Sequence, residues 1–146
     1  MDYFTAFEIS KSGLLAEKLR MDIVALNISN ANSIMGNRES VYKPMTVYTA
    51  PKTDTSLLNN FDSYLKYQRM LGVDIVSVES METRVQQVFD PDNPYADANG
   101  YTFRPDINPA SEMIGMINSL RAYQANVKAI SAAKSMAEEA LRIGAR

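Results

Sequence analysis

The sequence predicts a mainly α protein with a small β-rich middle. Long amino- and carboxy-terminal helices are expected to pack as a coiled-coil-like layer, with short strands and irregular loops between them. Apolar residues recur at helical spacing at both ends of the chain, whereas five of the six prolines fall within residues 37–108. We therefore divide the 146 residues into an N-terminal helix (1–36), a middle region (37–108) and a C-terminal helix (109–146).

The N-terminal segment carries two apolar series on neighbouring helix faces. One seam combines Ile9, Ala16 and Ile23 with Leu19 and Leu26, and the second consists of Phe7, Leu14, Met21 and Ile28. A helix with two apolar stripes can contact more than one partner. Gly36-Asn37 is the predicted stop signal.

The C-terminal helix has a clear start. Asn108 suits the N-cap, Pro109 the first helical position, and Glu112 the positive end of the helix dipole. We also expect an i,i+4 pair between Glu138 and Arg142 and a C-cap at Gly144. The predicted heptad seam is apolar except at Lys134 and reads Met113, Met116, Leu120, Tyr123, Val127, Ile130, Lys134, Ala137 and Leu141.

The middle region predicts short strands separated by turns. Residues 41–49 and 73–78 are rich in β-branched and aromatic side chains, and residues 85–89 are expected to continue a strand. Residues 57–65 have helical spacing, which predicts a short helix or an ordered insertion within 53–70. Residues 90–100 form a turn-rich loop of Pro, Asn, Asp and Gly.

The composition leaves few groups for chemistry. With no Cys and no His, the chain excludes thiolate nucleophiles, disulfides, zinc fingers and His-based triads. A net charge of −2 argues against nucleic-acid binding, which normally needs a basic surplus. We expect a packing or binding protein that has no catalytic or metal-binding residues and takes neither a cofactor nor a small-molecule substrate.

No targeting or membrane segment is expected. The first five residues lack the basic start and apolar run of a signal peptide. Charges recur too often for any segment of about 20 residues to span a bilayer. The absence of Cys fits both the cytoplasm and passage through an oxidising space, so these rules leave the compartment open.

The acidic loop has two interpretations. Asp90, Asp92 and Asp97 could bind Ca²⁺ or serve acid–base catalysis. However, a proline occupies the second position and no glutamate closes the segment, so the EF-hand pattern is missing. Asp and Asn beside Pro and Gly are typical of turns that bond their own backbone, and this interpretation is favoured.

Polar residues on the apolar helices also leave alternatives open. A buried Asn at position 27, 30 or 126 could set the register between helices, whereas an Asn near a helix end commonly faces solvent. Tyr123 lies at a seam position, where its ring can be buried while its hydroxyl finds a partner.

Three motifs, in order along the chain, resemble the bacterial flagellar basal-body rod protein family. The segment A-L-N-I-S-N-A-N, which contains Ala25, Asn27, Asn30 and Ala31, is similar to the amino-terminal motif of flagellar rod and hook proteins. Glu112-Met113 with R-A-Y-Q-A-N at 121–126 is similar to their carboxy-terminal helix motif. The loop D-P-D-N-P with A-D-A-N-G-Y resembles a segment of the proximal rod type, and its residues are Pro91, Pro94, Asp97, Gly100 and Tyr101.

The resemblance implies a structural subunit that polymerises helically into the periplasmic drive shaft carrying motor torque to the hook and filament. It implies export by the flagellar type III system without a cleaved signal peptide. Copies of itself and other flagellar rod proteins are the implied partners, with membrane-ring or export-gate components as further candidates. Its assembly residues would be the amino-terminal motif together with Glu112, Met116, Leu120, Tyr123, Asn126, Val127 and Ile130.

The sequence departs from the family pattern at two places. Its Gly36 and Tyr42 are separated by five residues, where the family has a Gly-Tyr pair, and the stretch 53–70 is longer than the family's compact middle. The alternative function is a non-polymerising helical adaptor or binding module, which would dock its terminal helices on a partner protein.

Overall fold

The computed structural model describes residues 3–53, 70–82 and 84–144. The order of elements is helix α1 (Tyr3–Asn30), a 3-10 turn (Arg38–Ser40), strands β1 (Met45–Thr53), β2 (Met70–Ser80), β3 (Val85–Phe89) and β4 (Tyr101–Pro105), and helix α2 (Pro109–Gly144). The predicted plan of two terminal helices around a small strand region is confirmed. The short helix or insertion expected around residues 57–65 lies outside the described residues.

The chain divides into two compact units, each assembled from distant segments. The first comprises Met1–Lys18, Tyr48–Val76 and Leu120–Arg146, and the second comprises Leu19–Val47 and Ser77–Ser119. Both terminal helices contribute to each unit. The three predicted regions of the sequence therefore do not correspond to these units.

Helix α1 ends earlier than its sequence predicts. It stops at Asn30, six residues before Gly36, because Asn30 begins a tight turn. The Ser33 amide and hydroxyl both donate to the Asn30 carbonyl, at 3.1 and 2.8 Å. Asn and Ser make such local bonds readily, so they compete with the helix well before a glycine is needed.

Helix α2 begins where the capping signals place it. The Asn108 side-chain oxygen accepts from the amides of Ala110 and Ser111, at 3.0 and 3.4 Å, and these bonds satisfy two of the otherwise unpaired donors of the first turn. The helix ends at Gly144.

The inward face of α2 is rotated from the predicted seam. Of that seam, Met116, Tyr123, Ile130 and Ala137 are half-buried, whereas Met113, Leu120, Val127, Lys134 and Leu141 are exposed. The buried positions are Ser119 and Ala133, with Asn126 half-buried between them. The predicted seam follows the large apolar side chains, whereas the buried positions carry small side chains. Coiled-coil packing of the two helices stays a prediction.

The ion pairs near the end of α2 also differ from expectation. Glu138 pairs with Lys134 at 3.7 Å, and Arg142 pairs with Glu139 at 3.5 Å, so the predicted Glu138–Arg142 pair is wrong. All four side chains are well exposed, and such pairs contribute little to stability.

The strands form two separate two-stranded sheets, β1 with β2 and β3 with β4. Strand β1 starts at Met45 rather than at residue 41, because Val41 follows the 3-10 turn directly and is buried as its C-cap. Pro51 is tolerated inside β1 because a two-stranded sheet consists only of edges.

Strands β3 and β4 are antiparallel, with Val85 opposite Pro105 and Phe89 opposite Tyr101. An isolated bridge extends this pairing, since Met35 and Phe103 exchange two backbone hydrogen bonds of 2.9 Å. Strand β4 was not predicted, because its five residues follow the turn-rich loop without a clear alternation. No helix in the described residues is long and apolar enough to cross a bilayer.

Candidate functional site

A buried asparagine joins three segments of the second unit. Asn27 on α1 is 3% exposed and makes four hydrogen bonds. Its Oδ1 accepts from the Met45 amide at 3.0 Å and from the Tyr42 hydroxyl at 2.9 Å. Its Nδ2 donates to the Met45 carbonyl at 3.0 Å and to Glu112 Oε2 at 3.1 Å. Every donor and acceptor site of the amide is therefore used, as burial requires.

These bonds fix distant parts of the chain against α1. Met45 is the first residue of β1, and Glu112 lies in the first turn of α2. Because an amide has one donor end and one acceptor end, the pairing specifies both the position and the rotation of α1. Of the two interpretations of Asn27, burial within a hydrogen-bonded network is the one that the structure supports.

Tyr42 and Glu112 are the two side chains that bond directly to Asn27. The pKa of Tyr42 is raised above its usual value of 10.0. Burial of the phenol is the larger cause, and the nearby Glu112 carboxylate is the smaller one. Both causes disfavour the phenolate. The hydroxyl therefore remains protonated and keeps donating to Asn27 across the physiological pH range.

The remaining motif residues of α1 have local roles. The Asn30 Nδ2 donates to the Leu26 carbonyl at 2.9 Å, one turn back in the same helix. Ala31 is buried and Ala25 is exposed. Asn30 thus belongs with the helix-end interpretation, whereas Asn27 connects separate elements.

In the first unit, the two helices approach closely at Gly13. A Cβ atom at Gly13 would lie 2.9 Å from the Nδ2 atom of Asn126, which is too close for an unshifted side chain. Asn126, Tyr123 and Ile130 are half-buried on this side of α2. Asn126 of the carboxy-terminal motif therefore lies directly against α1 at Gly13.

Another side of α2 in the first unit presents large apolar side chains to solvent. Leu120 and Val127 are 42% and 43% exposed. They lie seven residues apart and so share one side of the helix. We call them the outer stripe of α2.

The carboxylates of the 90–100 loop bond to the loop itself. Asp97 Oδ1 accepts from the amides of Asn99 and Tyr101, at 2.8 and 2.9 Å. Asp90 Oδ2 accepts from the Asn93 side chain at 3.2 Å. Among the described residues, no three acidic side chains are placed to hold a metal ion. The turn interpretation of the acidic loop accounts for these contacts.

Two glycines allow the loop its shape. Gly100 has a φ of +79°, a conformation that L side chains rarely adopt, and a Cβ there would lie 3.0 Å from the Phe89 ring. A Cβ at Gly36 would lie 2.7 Å from the Tyr95 carbonyl oxygen. The Phe89 and Tyr101 rings stack edge to face, with centroids 5.2 Å apart. Pro91 and Pro94 are exposed at the loop surface.

Sequence reasoning missed some of these residues. It did not assign Tyr42 or Met45 to the Asn27 cluster, and it missed Thr102, which is 1% exposed and donates to the Val88 carbonyl at 3.3 Å. Position along the chain gives no signal for such contacts, since Asn27 and Glu112 are 85 residues apart.

These features are typical of a structural subunit that packs against other chains. Two terminal helices, held in register by a buried amide and bearing a stripe of exposed apolar side chains, suit a chain that packs against other chains. Residues 98–143 match the family model described as the flagellar basal body rod FlgEFG protein C-terminal.

Full-length relatives narrow the class. The chain is 33% identical over 138 residues to the flagellar basal-body rod protein FlgC of Aquifex aeolicus, covering 94% of both chains. It is 32% identical to the FlgC protein of Bacillus subtilis and 30% identical to that of Salmonella typhimurium, covering 99% of each chain. The chain belongs to the flagellar basal-body rod protein FlgC family. This family is structural, so the protein is not an enzyme, and the adaptor alternative is not favoured.

Proposed function

We propose that this chain is a structural subunit of the proximal flagellar rod, and that its copies polymerise helically into the drive shaft that transmits torque to the hook and filament. Membership of the FlgC family supports the rod assignment. The polymerisation step is supported by the outer stripe of α2.

The distribution of side chains on α2 carries the argument. In an ordinary amphipathic helix the large apolar side chains face the core. Here the buried positions are Ser119 and Ala133, while Leu120 and Val127 face outward. Large apolar surfaces left exposed on one chain typically mark protein–protein contacts. The outer stripe is therefore the surface that neighbouring subunits would cover.

The partners follow from the same surface. Copies of this chain and other rod proteins would cover the stripe, and contacts with membrane-ring or export-gate components belong to the same proposal. Export through the flagellar type III channel and a position in the periplasmic rod are consistent with a chain free of Cys. Thiols in an oxidising space would form unwanted disulfides.

The test places a charge in the outer stripe. Val127→Asp or Leu120→Asp should prevent rod assembly and motility while leaving export of the chain intact, because a carboxylate would enter an apolar interface. Both positions are exposed in the single chain, so its folding should change little. Motility, secreted protein and the protein content of purified basal bodies are the measurements.

Ala129→Asp is the matched control. Ala129 is exposed and lies two residues beyond Val127, which places it about 200° further around the helix. Ala129→Asp adds the same charge at almost the same position along the helix axis. It should reduce rod assembly less than Val127→Asp does. Normal swimming with Val127→Asp would show that the outer stripe is not an assembly surface.

A further inference from the structure

At Leu120 and Val127, the outer stripe has a basic border. Leu120 and Val127 lie seven residues apart on one side of α2, and each is followed directly by a cation, Arg121 or Lys128. Both cations are exposed, and neither forms an ion pair with another described residue. We call these four residues the basic-apolar face. A partner for this face should offer apolar side chains beside a negative charge.

The loop between β3 and β4 offers that combination. Phe89 and Tyr95 are 64% and 63% exposed, and Pro91 and Pro94 are exposed beside them. Residues 90–100 contain three Asp and no Lys or Arg. The Asp92 carboxylate is exposed and makes no hydrogen bond to another described residue, whereas Asp90 and Asp97 bond within the loop.

The loop is also pre-organised for contact. Asp97 closes its turn through two backbone amides, and the Phe89 ring is held against Tyr101. A surface that is already ordered loses less conformational entropy on binding. Its exposed aromatic and proline side chains can therefore pack without a large ordering cost.

We propose that the β3–β4 loop of one copy packs on the basic-apolar face of α2 in a second copy. Aromatic and proline side chains would cover Leu120 and Val127, and Asp92 would lie beside Arg121 and Lys128. The contact rests on the proposed function and specifies one of its interfaces. Because the loop and the helix face are different surfaces, each copy can give one contact and receive another. Such heterologous contacts build open helical assemblies.

The cysteine-free chain permits a direct test. Asp92→Cys and Lys128→Cys are combined in one chain, which replaces the wild-type protein in cells. Isolated basal bodies are then treated with a short bismaleimide cross-linker. We expect a ladder of dimers and larger multimers, because each chain carries one thiol on each side of the contact. Either single variant should give no ladder.

The other results contradict the proposal. Cross-linking within one chain would mean that the loop meets its own helix. Cross-linking to a different basal-body protein would mean that the occupant is not a second copy. If basal bodies contain the double variant but show no cross-link, the loop and the basic-apolar face are not in contact in the assembly. If the wild-type chain itself is absent from basal bodies, the proposed rod function fails as well.

Charge exchange provides an independent measurement. Asp92→Lys and Lys128→Glu should each lower incorporation into basal bodies severalfold, and the two together should restore much of it, since the pair regains opposite charges. Lys43→Glu is the control, because Lys43 is exposed and belongs to neither surface. Single reversals that incorporate as well as this control would overturn the proposed contact.

Discussion

Replacing Asn27 by Asp tests the buried amide with almost no change in shape. The two bonds accepted by Oδ1 can persist, but the Nδ2 donor becomes an oxygen. That oxygen would face the Met45 carbonyl, now 3.0 Å from Nδ2, and Glu112 Oε2, now 3.1 Å away. Two hydrogen bonds would be replaced by two acceptor–acceptor contacts, one of them between like charges.

The size of the effect follows from the lost bonds. A neutral hydrogen bond contributes about 1 kcal/mol to the free energy of unfolding, and one to a charged group about 1.5–3 kcal/mol. Their sum is about 2.5–4 kcal/mol, and partial exposure of Glu112 favours the lower part of that range, about 3 kcal/mol. Asn30→Asp is the matched control, since among the described residues the Asn30 side chain bonds only to the Leu26 carbonyl of its own helix, and its cost should stay below about 1 kcal/mol.

The dependence on pH has a definite sign. Burial and the Glu112 charge would raise the pKa of the new carboxyl above its unfolded value of about 3.9. A raised folded-state pKa gives stability that is present at low pH and lost as pH rises through it. The deficit in stability of Asn27→Asp relative to the wild type should therefore become smaller as pH falls through the folded-state pKa of the new carboxyl.

Urea unfolding followed by circular dichroism measures these differences. Adding Glu112→Gln to Asn27→Asp returns an amide donor to the contact and should recover about 1.5 kcal/mol or more of the loss. The reasoning is refuted if Asn27→Asp costs no more than Asn30→Asp. Failure of the double variant to recover stability would show that Glu112 is not the partner that matters.

Four further substitutions test the packing and electrostatics of the second unit. Gly36→Ala should destabilise the protein by about 1–3 kcal/mol, because its Cβ would lie 2.7 Å from the Tyr95 carbonyl oxygen. Gly115→Ala should stabilise it by about 0.5–1 kcal/mol, since nothing lies within 4 Å of a Cβ in this helical position. Thermal unfolding measures the change in stability of each variant. Changes of the same sign would contradict the Cβ contacts described for Gly36 and Gly115. Because burial and Glu112 raise the pKa of Tyr42, its contribution to stability should persist below pH 10.0 and decline as pH rises through its folded-state pKa. Absorbance titration of wild type against Tyr42→Phe detects this phenol, and Glu112→Gln should lower its pKa only in part, burial being the larger cause.

The terminal helices could be predicted because their signals are local. Asn108 and Pro109 mark the start of α2 within two residues, and the structure begins the helix there. The end of α1 was misplaced because a glycine was given more weight than the side-chain bonds of Asn30 and Ser33. Strand β4 was missed because its pairing with β3 forms across a loop that carries the stronger pattern.

The inward face of α2 could not be predicted for a related reason. A hydrophobic periodicity identifies the apolar side of a helix, and the structure turns part of that side outward. The two buried residues of α2, Ser119 and Ala133, are small, and small side chains carry almost no periodic signal. The cluster around Asn27 depends on two contacts, with Met45 and Glu112, that no local rule connects.

The small size of the buried residues explains how α2 can pack on its own chain and still leave large apolar side chains exposed. The missing side chain at Gly13 of α1 lets Asn126 of α2 approach closely, and Leu120 and Val127 take no part in that contact. Those residues then remain available on the outer stripe. A buried polar contact such as Asn27 with Glu112 supplies the specificity that small apolar contacts lack, because only one register satisfies all four bonds of the amide. Within the second unit, a few polar atoms thus fix the rotation of α1 against the start of α2. We propose that the large apolar side chains left exposed on α2 are the ones that neighbouring subunits cover.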